Sequence, residues 1–92
     1  MPCFKDFPKG DARRYFVVLL AADKLKEYAS LQYLAIEAEC TRAEIQRALA
    51  VLELQFGVQF RRQGSAYLIQ SWGVLKKTVV QQLVKKDWQA VN

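Results

Sequence analysis

Hydrophobic residues in this chain change their spacing from one segment to the next, and each spacing predicts a different element. The first long segment, from residue 11 to about residue 24, contains an uninterrupted apolar run at 15–22. As a helix it is apolar on every side, which predicts that other elements cover more than one of its faces. A β-strand is the competing interpretation for so short a run, but the Leu-Leu-Ala-Ala end favours a helix, with Asp11 as a candidate N-cap.

Two shorter helices are predicted next, separated by a tight turn. Ser30 is a candidate N-cap for the first of them. Its apolar positions recur at helical spacing: Leu31, Leu34, Ala35 and Ala38. Residues 41–44 spell the capping box Thr-x-x-Glu, whose hydroxyl and carboxylate each satisfy a backbone N–H at a helix start. The helix 42–55 that follows is predicted to end at Gly57 in the left-handed C-cap position. Its buried stripe is Ile45, Ala48, Leu49 and Leu52.

Alternating apolar and polar residues then predict a β-hairpin, followed by a last helix. The strands are 58–62 and 66–70, joined by a short turn at 63–65, with Val58 and Phe60 on one side and Gln59 and Arg61 on the other. The last helix begins at Ser71 or Trp72, reaches about Trp88 and has two adjacent apolar rows. We expect it to pack against the first helix, either within the chain or across a two-fold dimer. The candidate dimerisation residues are Leu75, Val79, Val80, Leu83 and Val84.

The remaining segment, residues 1–10, contains both prolines and a glycine. We expect a loosely held arm there, which Phe4 and Phe7 are able to dock. Residues 11–70 form one domain, and 71–92 the additional C-terminal helix. The 92 residues permit only a thin core, which favours a homodimer. No signal-peptide pattern is present and no apolar run approaches the ~20 residues that cross a bilayer, so we expect a cytoplasmic protein without a membrane partner.

Composition narrows the function further. The chain has no histidine, its two cysteines are far apart in sequence, and no nucleophile–base pair can be assembled. We therefore expect no enzyme activity, no metal and no cofactor. The net charge of +5 favours an anionic partner, yet it is unevenly spread. Residues 30–57 carry −2, whereas residues 58–92 carry +5. Charge alone is thus a poor argument for nucleic-acid binding by the helices at 30–57.

The order of these elements is that of a helix-turn-helix followed by a hairpin, and the residues carry a family resemblance. The matching stretches are SLQYLA at 30–35, TRAEIQRALAVL at 41–52, GVQF at 57–60 and YLI at 67–69. Segment 28–69 resembles the N-terminal winged-helix domain of the biotin operon repressor and biotin protein ligase family. The resemblance covers about half the chain and implies a mainly α fold with a small β-hairpin, a winged helix-turn-helix with an additional C-terminal helix. The residues outside it leave no room for a ligase domain, so biotin chemistry is not implied.

Three positions depart from the family pattern. Glu39 stands where the family has Gly in the turn between the two helices, so we expect a left-handed residue that costs on the order of 1 kcal/mol. Cys40 stands where the family buries a small aliphatic residue, and a buried, unreactive thiol is the expectation. Ala66 replaces a second Gly of the hairpin, which is also about one residue shorter than in the family.

The resemblance also implies a partner, double-stranded DNA, and the function of a small transcription regulator. Helix 42–55 would enter the major groove, with the wing 58–70 on the backbone. The implied DNA-facing residues are Arg42, Ala43, Gln46, Arg47, Ala50, Arg61, Arg62 and Gln63. Arg47 and Gln46 are suited to the edges of guanine and adenine, and Arg42 to a phosphate at the helix N-terminus. Arg61, Arg62 and Gln63 would contact the backbone or the minor groove.

Other interpretations stay open at this point. The arginines of the helix and the hairpin are also typical of solvated faces, and the carboxylates of Glu37, Glu39 and Glu44 would repel phosphate. A winged helix used for contact with a protein partner is the alternative function. The lysine pairs 76–77 and 85–86 lie opposite the apolar rows and favour a solvated face, although lysines on a helix also suit anionic lipid.

Overall fold

Helix α1 (Arg13–Leu25) lies at the centre of the fold, covered by other elements on several sides. In the computed structural model, which describes residues 2–85, its apolar centre is buried. The helices that pack against it are α2 (Leu31–Ala38), α3 (Arg42–Phe56) and α4 (Lys77–Leu83). A helix rather than a strand is therefore confirmed for this segment. The Asp11 carboxylate accepts a hydrogen bond from the backbone N–H of Arg13 at 2.9 Å, as an N-cap does, although the helix itself begins at Arg13.

Helices α2 and α3 are joined by the tight turn that the sequence predicted. The Ser30 hydroxyl caps α2 by accepting a hydrogen bond from the N–H of Tyr33 at 3.2 Å. Helix α2 ends where Glu39 adopts a left-handed conformation, with φ 57° and ψ 55°. The expected non-glycine residue in this conformation is thus confirmed. The left-handed residue reverses the chain in few residues, and this brings the start of α3 close to the end of α2.

Helix α3 follows its predicted boundaries and buries its predicted face. The expected stripe of Ile45, Ala48, Leu49 and Leu52 is buried against the core. Gly57 terminates the helix at φ 71°, and its N–H donates to the carbonyl of Leu52. Because the stripe recurs every three or four residues, the opposite face of the same helix is left in solvent.

Strands β1 (Gln59–Gln63) and β2 (Ala66–Ser71) form an antiparallel hairpin with a two-residue turn. Gln63 pairs with Ala66, and Gly64 in the turn has φ 62°. Val58 is buried and Phe60 packs on the core, as their alternation predicted. The N–H of Tyr67 donates to the carbonyl of Ala29 at 2.9 Å. This bond fixes the hairpin to the segment that leads into α2.

The N-terminal segment is held more firmly than the sequence indicated. Residues Phe4–Asp6 form a single 3₁₀ turn, and both Phe4 and Phe7 are buried in the core. Guanidinium groups at the start of α1 cover their rings: Arg14 lies 4.8 Å from the ring centroid of Phe4, and Arg13 lies 4.7 Å from that of Phe7. Docking by the two phenylalanines is confirmed, and the expectation of a loose arm is wrong for this part of it. The arm completes the core.

The last helix begins later than predicted. Strand β2 continues to Ser71, and Gly73 then turns the chain with φ 63°. The N–H of Val74 donates to the carbonyl of Phe56 at 3.0 Å, which ties this turn to the end of α3. Helix α4 therefore starts only at Lys77, because residues 72–76 form the connection that crosses the end of α3. The predicted extension to about Trp88 lies partly outside the described residues.

This displacement changes the interpretation of the candidate dimerisation residues. Leu75 precedes α4, so it does not belong to a helical row. Val80 and Val84 are buried within their own chain, where α4 packs on α1. Leu83 and Leu75 are partly buried on the same core, and Val79 remains 46% exposed. The expected packing of the first and last helices is confirmed within the chain. The assignment of Val80 and Val84 to a dimer interface is wrong, because neither has surface to offer a second chain.

Candidate nucleic-acid interface

The solvent face of α3 presents every residue that the sequence analysis assigned to DNA from this helix. These residues are Arg42, Ala43, Gln46, Arg47 and Ala50, and all are exposed. They lie opposite the buried stripe because successive residues turn by about 100° in a helix. Neither Arg42 nor Arg47 forms a hydrogen bond or an ion pair with any residue in the range 2–85. Both guanidinium groups are therefore available to a partner.

The start of α3 is fixed by the capping box. The Thr41 hydroxyl accepts a hydrogen bond from the N–H of Glu44 at 3.1 Å, and the Glu44 carboxylate accepts one from the N–H of Thr41 at 3.0 Å. This backbone hydrogen bond is the main reason why the pKa of Glu44 lies below its ordinary value, with smaller contributions from the Thr41 hydroxyl and from the charges of Lys5 and Arg14. The capping interaction occupies the carboxylate and fixes the first turn of α3, from which the Arg42 side chain projects.

The hairpin residues assigned to DNA are exposed as well. Arg61, Arg62 and Gln63 lie along β1, and alternation places Arg62 on the opposite face of the strand from its two neighbours. The Arg62 guanidinium stacks on Tyr67, its cross-strand partner, 4.2 Å from the ring centroid. Arg61 makes a long contact of 3.5 Å with Gln63. Stacking orients Arg62 but leaves its N–H groups free to donate.

Arg62 and Arg42 meet at one cleft, although twenty residues separate them in the sequence. We call it the hairpin-side cleft; it encloses about 370 Å³ between the start of α2, the start of α3 and the hairpin. Its lining residues are Ser30, Leu31, Gln32, Tyr33, Arg42, Arg62, Ser65 and Tyr67. The lining contains two arginines, hydroxyl groups and no carboxylate. Such a surface is suited to an anionic group.

A second cleft, of about 320 Å³, lies beside α3 where the N-terminal arm docks, and we call it the arm-side cleft. Its lining residues are Phe4, Lys9, Gly10, Arg14, Tyr15, Glu44 and Arg47. Of these residues, only Arg47 was expected from the sequence to face DNA. The local pattern gives no signal for Lys9 or Arg14, because Lys9 comes beside α3 through the docking of the arm and Arg14 through the packing of α1 on α3.

The carboxylates that were expected to oppose a phosphate partner have partners inside the chain. Glu37 forms an ion pair with Lys24 at 2.8 Å. Glu39 accepts a hydrogen bond from the Cys3 thiol at 2.8 Å, the main cause of the raised pKa of that thiol. With Glu44 in the capping box, each of the three has a structural role. Cys40 was expected to be buried and is partly buried against the core, and this burial raises the pKa of its thiol to about 11.

Lys76, Lys77 and Lys85 are exposed, as predicted for a solvated face, and Lys86 lies outside the described residues. Lys77 pairs with Asp23 of α1 at 2.8 Å, whereas Lys76 and Lys85 line neither of the two clefts beside α3. No helix within residues 2–85 is long and apolar enough to cross a membrane. The same residues contain no cluster of three potential metal ligands among His, Cys, Asp and Glu.

Comparison with known protein families, with curated proteins and with solved structures found no match to this chain.

Proposed function

We propose that the chain is a small double-stranded DNA-binding protein, a transcription regulator of the cytoplasm, which inserts α3 into the major groove and lays the hairpin on the backbone. The observation that carries this proposal is the hairpin-side cleft. There Arg42 of α3 and Arg62 of the hairpin line one cavity that contains no carboxylate. A helix is the element that the width of the major groove admits, and arginine is suited to both phosphates and base edges.

The architecture that we propose is a winged helix. Helices α1, α2 and α3 are followed by the hairpin, which is the wing in this proposal. The hydrogen bond from the N–H of Tyr67 to the carbonyl of Ala29 joins the wing to the segment just before α2. The resemblance of segment 28–69 to the biotin repressor family supports the same architecture. Helix α4 is the addition, and it packs on α1.

Each exposed residue has a chemical role in this proposal. Arg47 would donate to O6 and N7 of guanine, and Gln46 would donate to N7 of adenine and accept from its N6 amino group. Ala43 and Ala50 keep the middle of the helix face small, so that the backbone can approach the floor of the groove. Arg42 at the first turn takes a phosphate. The hairpin residues Arg61, Arg62 and Gln63 contact the backbone or the minor groove.

A second candidate function is binding to a protein partner through α2. Tyr33 and Ile36 lie one turn apart on this helix and are 51% and 63% exposed, which is unusual for two large apolar side chains at this spacing. Salt separates the two functions: binding through apolar side chains changes little with ionic strength, whereas binding to DNA weakens steeply.

The test is a titration of a short fluorescent duplex by fluorescence anisotropy over a salt series, roughly from 50 to 200 mM. We expect binding at low salt that weakens along the series. Arg42→Ala and Arg62→Ala should each reduce the magnitude of the slope of log affinity against log salt by about 0.9, the value for one phosphate contact. Lys76→Ala is the matched control, because it removes the same charge from a residue that lines neither cleft. Absence of binding by the unmodified chain at low salt would refute the proposal.

A base-reading role for Arg47 has its own measurement. Arg47→Ala should reduce the difference in affinity between preferred and unrelated duplexes, by about 1–3 kcal/mol where a bidentate contact to guanine is lost. The preferred duplex is obtained by selection from random DNA. An Arg47→Ala chain with undiminished sequence preference would show that the helix lies elsewhere on the duplex.

A further inference from the structure

The arm-side cleft lies on the opposite flank of α3 from the hairpin-side cleft. Arg42 lines the hairpin-side cleft and Arg47 the arm-side cleft, and the two positions are about 140° apart around the helix axis. The small residues Ala43 and Ala50 lie between them. The exposed face of α3 thus has a cationic cleft on each side, and only one of the two belongs to the hairpin.

Three cationic side chains from three segments line the arm-side cleft: Lys9 of the arm, Arg14 of α1 and Arg47 of α3. Arg14 is held in place, since its Nε donates to the carbonyl of Phe7 at 2.8 Å and its guanidinium covers the ring of Phe4. These contacts use one nitrogen and one face of the group. Its two terminal nitrogens have no hydrogen-bond acceptor among the described residues. A fixed arginine with free donors is a preorganised anion ligand.

Glu44 is the one carboxylate in the lining, and it does not pair with these cations. Its oxygen accepts from the backbone N–H and the hydroxyl of Thr41, at 3.0 and 3.2 Å. No ion pair joins Glu44 to Lys9, Arg14 or Arg47 in the part of the chain that the structure describes. The cleft therefore keeps a positive balance of two charges after Glu44 is counted.

We propose that Lys9 and Arg14 of the arm-side cleft bind a second backbone phosphate of the duplex, on the strand opposite the one that the hairpin contacts and beside the base edge assigned to Arg47. The inference rests on the proposed DNA binding and extends it: the N-terminal arm, with Lys9, becomes part of the DNA interface. A helix in the major groove has a phosphate backbone on each side. Cationic clefts on both flanks of α3 fit that arrangement, because each flank then has cationic side chains that can contact the phosphates of one strand.

The experiment uses the full chain, a short fluorescent duplex and the same salt series. Lys9→Ala should reduce the magnitude of the salt slope by about 0.9 and weaken binding to unrelated sequences to the same extent as to the preferred one. Lys76→Ala, which removes the same charge at a site away from α3, should leave the slope unchanged. Lys9 is exposed and packs on nothing in the core, so far-UV circular dichroism should be the same for both variants.

The two proposals fail in different ways. A chain that binds no duplex at low salt contradicts both the DNA function and this inference. A chain that binds DNA, loses affinity with Arg42→Ala and Arg62→Ala, and has the same slope for Lys9→Ala as for Lys76→Ala contradicts the inference alone. Reversal of the charge is the second variant: Lys9→Glu should weaken binding further than Lys9→Ala, and an affinity equal to that of Lys76→Glu would overturn the arm-side site.

Discussion

The two sides of α3 present similar chemistry but are built in different ways. The hairpin-side cleft joins the start of α3 to a hairpin of short-range contacts, where Gln63 pairs with Ala66 across a two-residue turn. The arm-side cleft exists only because Phe4 and Phe7 bury themselves in the core and bring Lys9 beside Arg47. Local pairing thus maintains one side, and long-range burial maintains the other.

This difference predicts that the two sides can be damaged separately. A substitution that undocks the arm should remove Lys9 from the arm-side cleft, release the contacts that hold Arg14, and leave the pairing of the hairpin intact. A substitution at the base of the hairpin should do the reverse. Substitutions on one side should therefore change stability or DNA binding through that side alone.

The largest effect is expected from Phe7→Ala, on the arm side. Phe7 is 2% exposed, and its truncation leaves a cavity under the guanidinium of Arg13. The free energy of unfolding should fall by about 3–5 kcal/mol, the usual range for a buried phenylalanine. Urea unfolding followed by circular dichroism measures it. Tyr28→Ala is the control, because this aromatic side chain is 66% exposed and its loss should cost little. Equal costs for the two variants would show that the arm does not belong to the core.

The next effect is expected from Gly73→Ala, at the base of the hairpin. A Cβ atom there would lie 2.1 Å from the carbonyl oxygen of Phe56 and 2.5 Å from the backbone of Gly57, and the residue has φ 63°. Backbone atoms at the end of α3 would have to move, and we expect a loss of about 2–4 kcal/mol in the free energy of unfolding.

Gly64→Ala is the control for this prediction. Gly64 has φ 62°, nearly the same conformation, but a Cβ atom there would meet nothing within 4 Å. Only the conformational cost remains, about 1 kcal/mol. Thermal unfolding of both variants separates the clash from the strain. If Gly73→Ala cost no more than Gly64→Ala, the hairpin would not be held against the end of α3 as the structure describes.

The features that the sequence predicted correctly depend on residues that lie close together in the chain. The capping box at Thr41, the left-handed Gly57 and the alternation of Val58 and Phe60 each depend on residues a few positions apart, and all three are confirmed. The eight residues that the family resemblance assigned to DNA are all exposed. Their role on DNA is still a prediction, since exposure alone does not identify a partner.

The predictions that were wrong or incomplete concern features that depend on contacts between residues far apart in the chain. The apolar rows at 75–84 are compatible with a helix that begins at residue 72. In the structure Gly73 lies against the backbone at the end of α3, so the helix begins only at Lys77, and the sequence does not show that contact. Val80 and Val84 were assigned to a dimer because nothing in the pattern distinguishes an intrachain partner from a second copy. Lys9 and Arg14 were not predicted for the same reason, as the docking of the arm and the packing of α1 on α3 bring them beside Arg47.

The smallest effect, and the sharpest test of the arm side, is expected from Glu44→Gln. Glutamine keeps an oxygen that can accept from the N–H of Thr41, so the capping box is retained without its charge. At neutral pH the variant should lose about 0.3–1 kcal/mol, the value of a negative charge at a helix N-terminus. Because the pKa of Glu44 is lowered in the fold, its carboxylate stabilises the protein above its unfolded pKa, and this contribution is lost as the pH falls through the folded value.

The stability difference between the two chains should therefore shrink once the pH falls below the ordinary pKa of a glutamate and disappear below the lowered pKa of the folded state, as measured by urea unfolding at several pH values. DNA affinity should move in the opposite direction at neutral pH. Removal of the one carboxylate in the arm-side cleft raises its positive balance, so Glu44→Gln should bind the duplex more tightly than the unmodified chain, and most clearly at low salt. Glu53→Gln, an exposed change of the same charge on the same helix, is the control. An equal gain from both variants would mean that only net charge matters and that no phosphate lies beside Glu44.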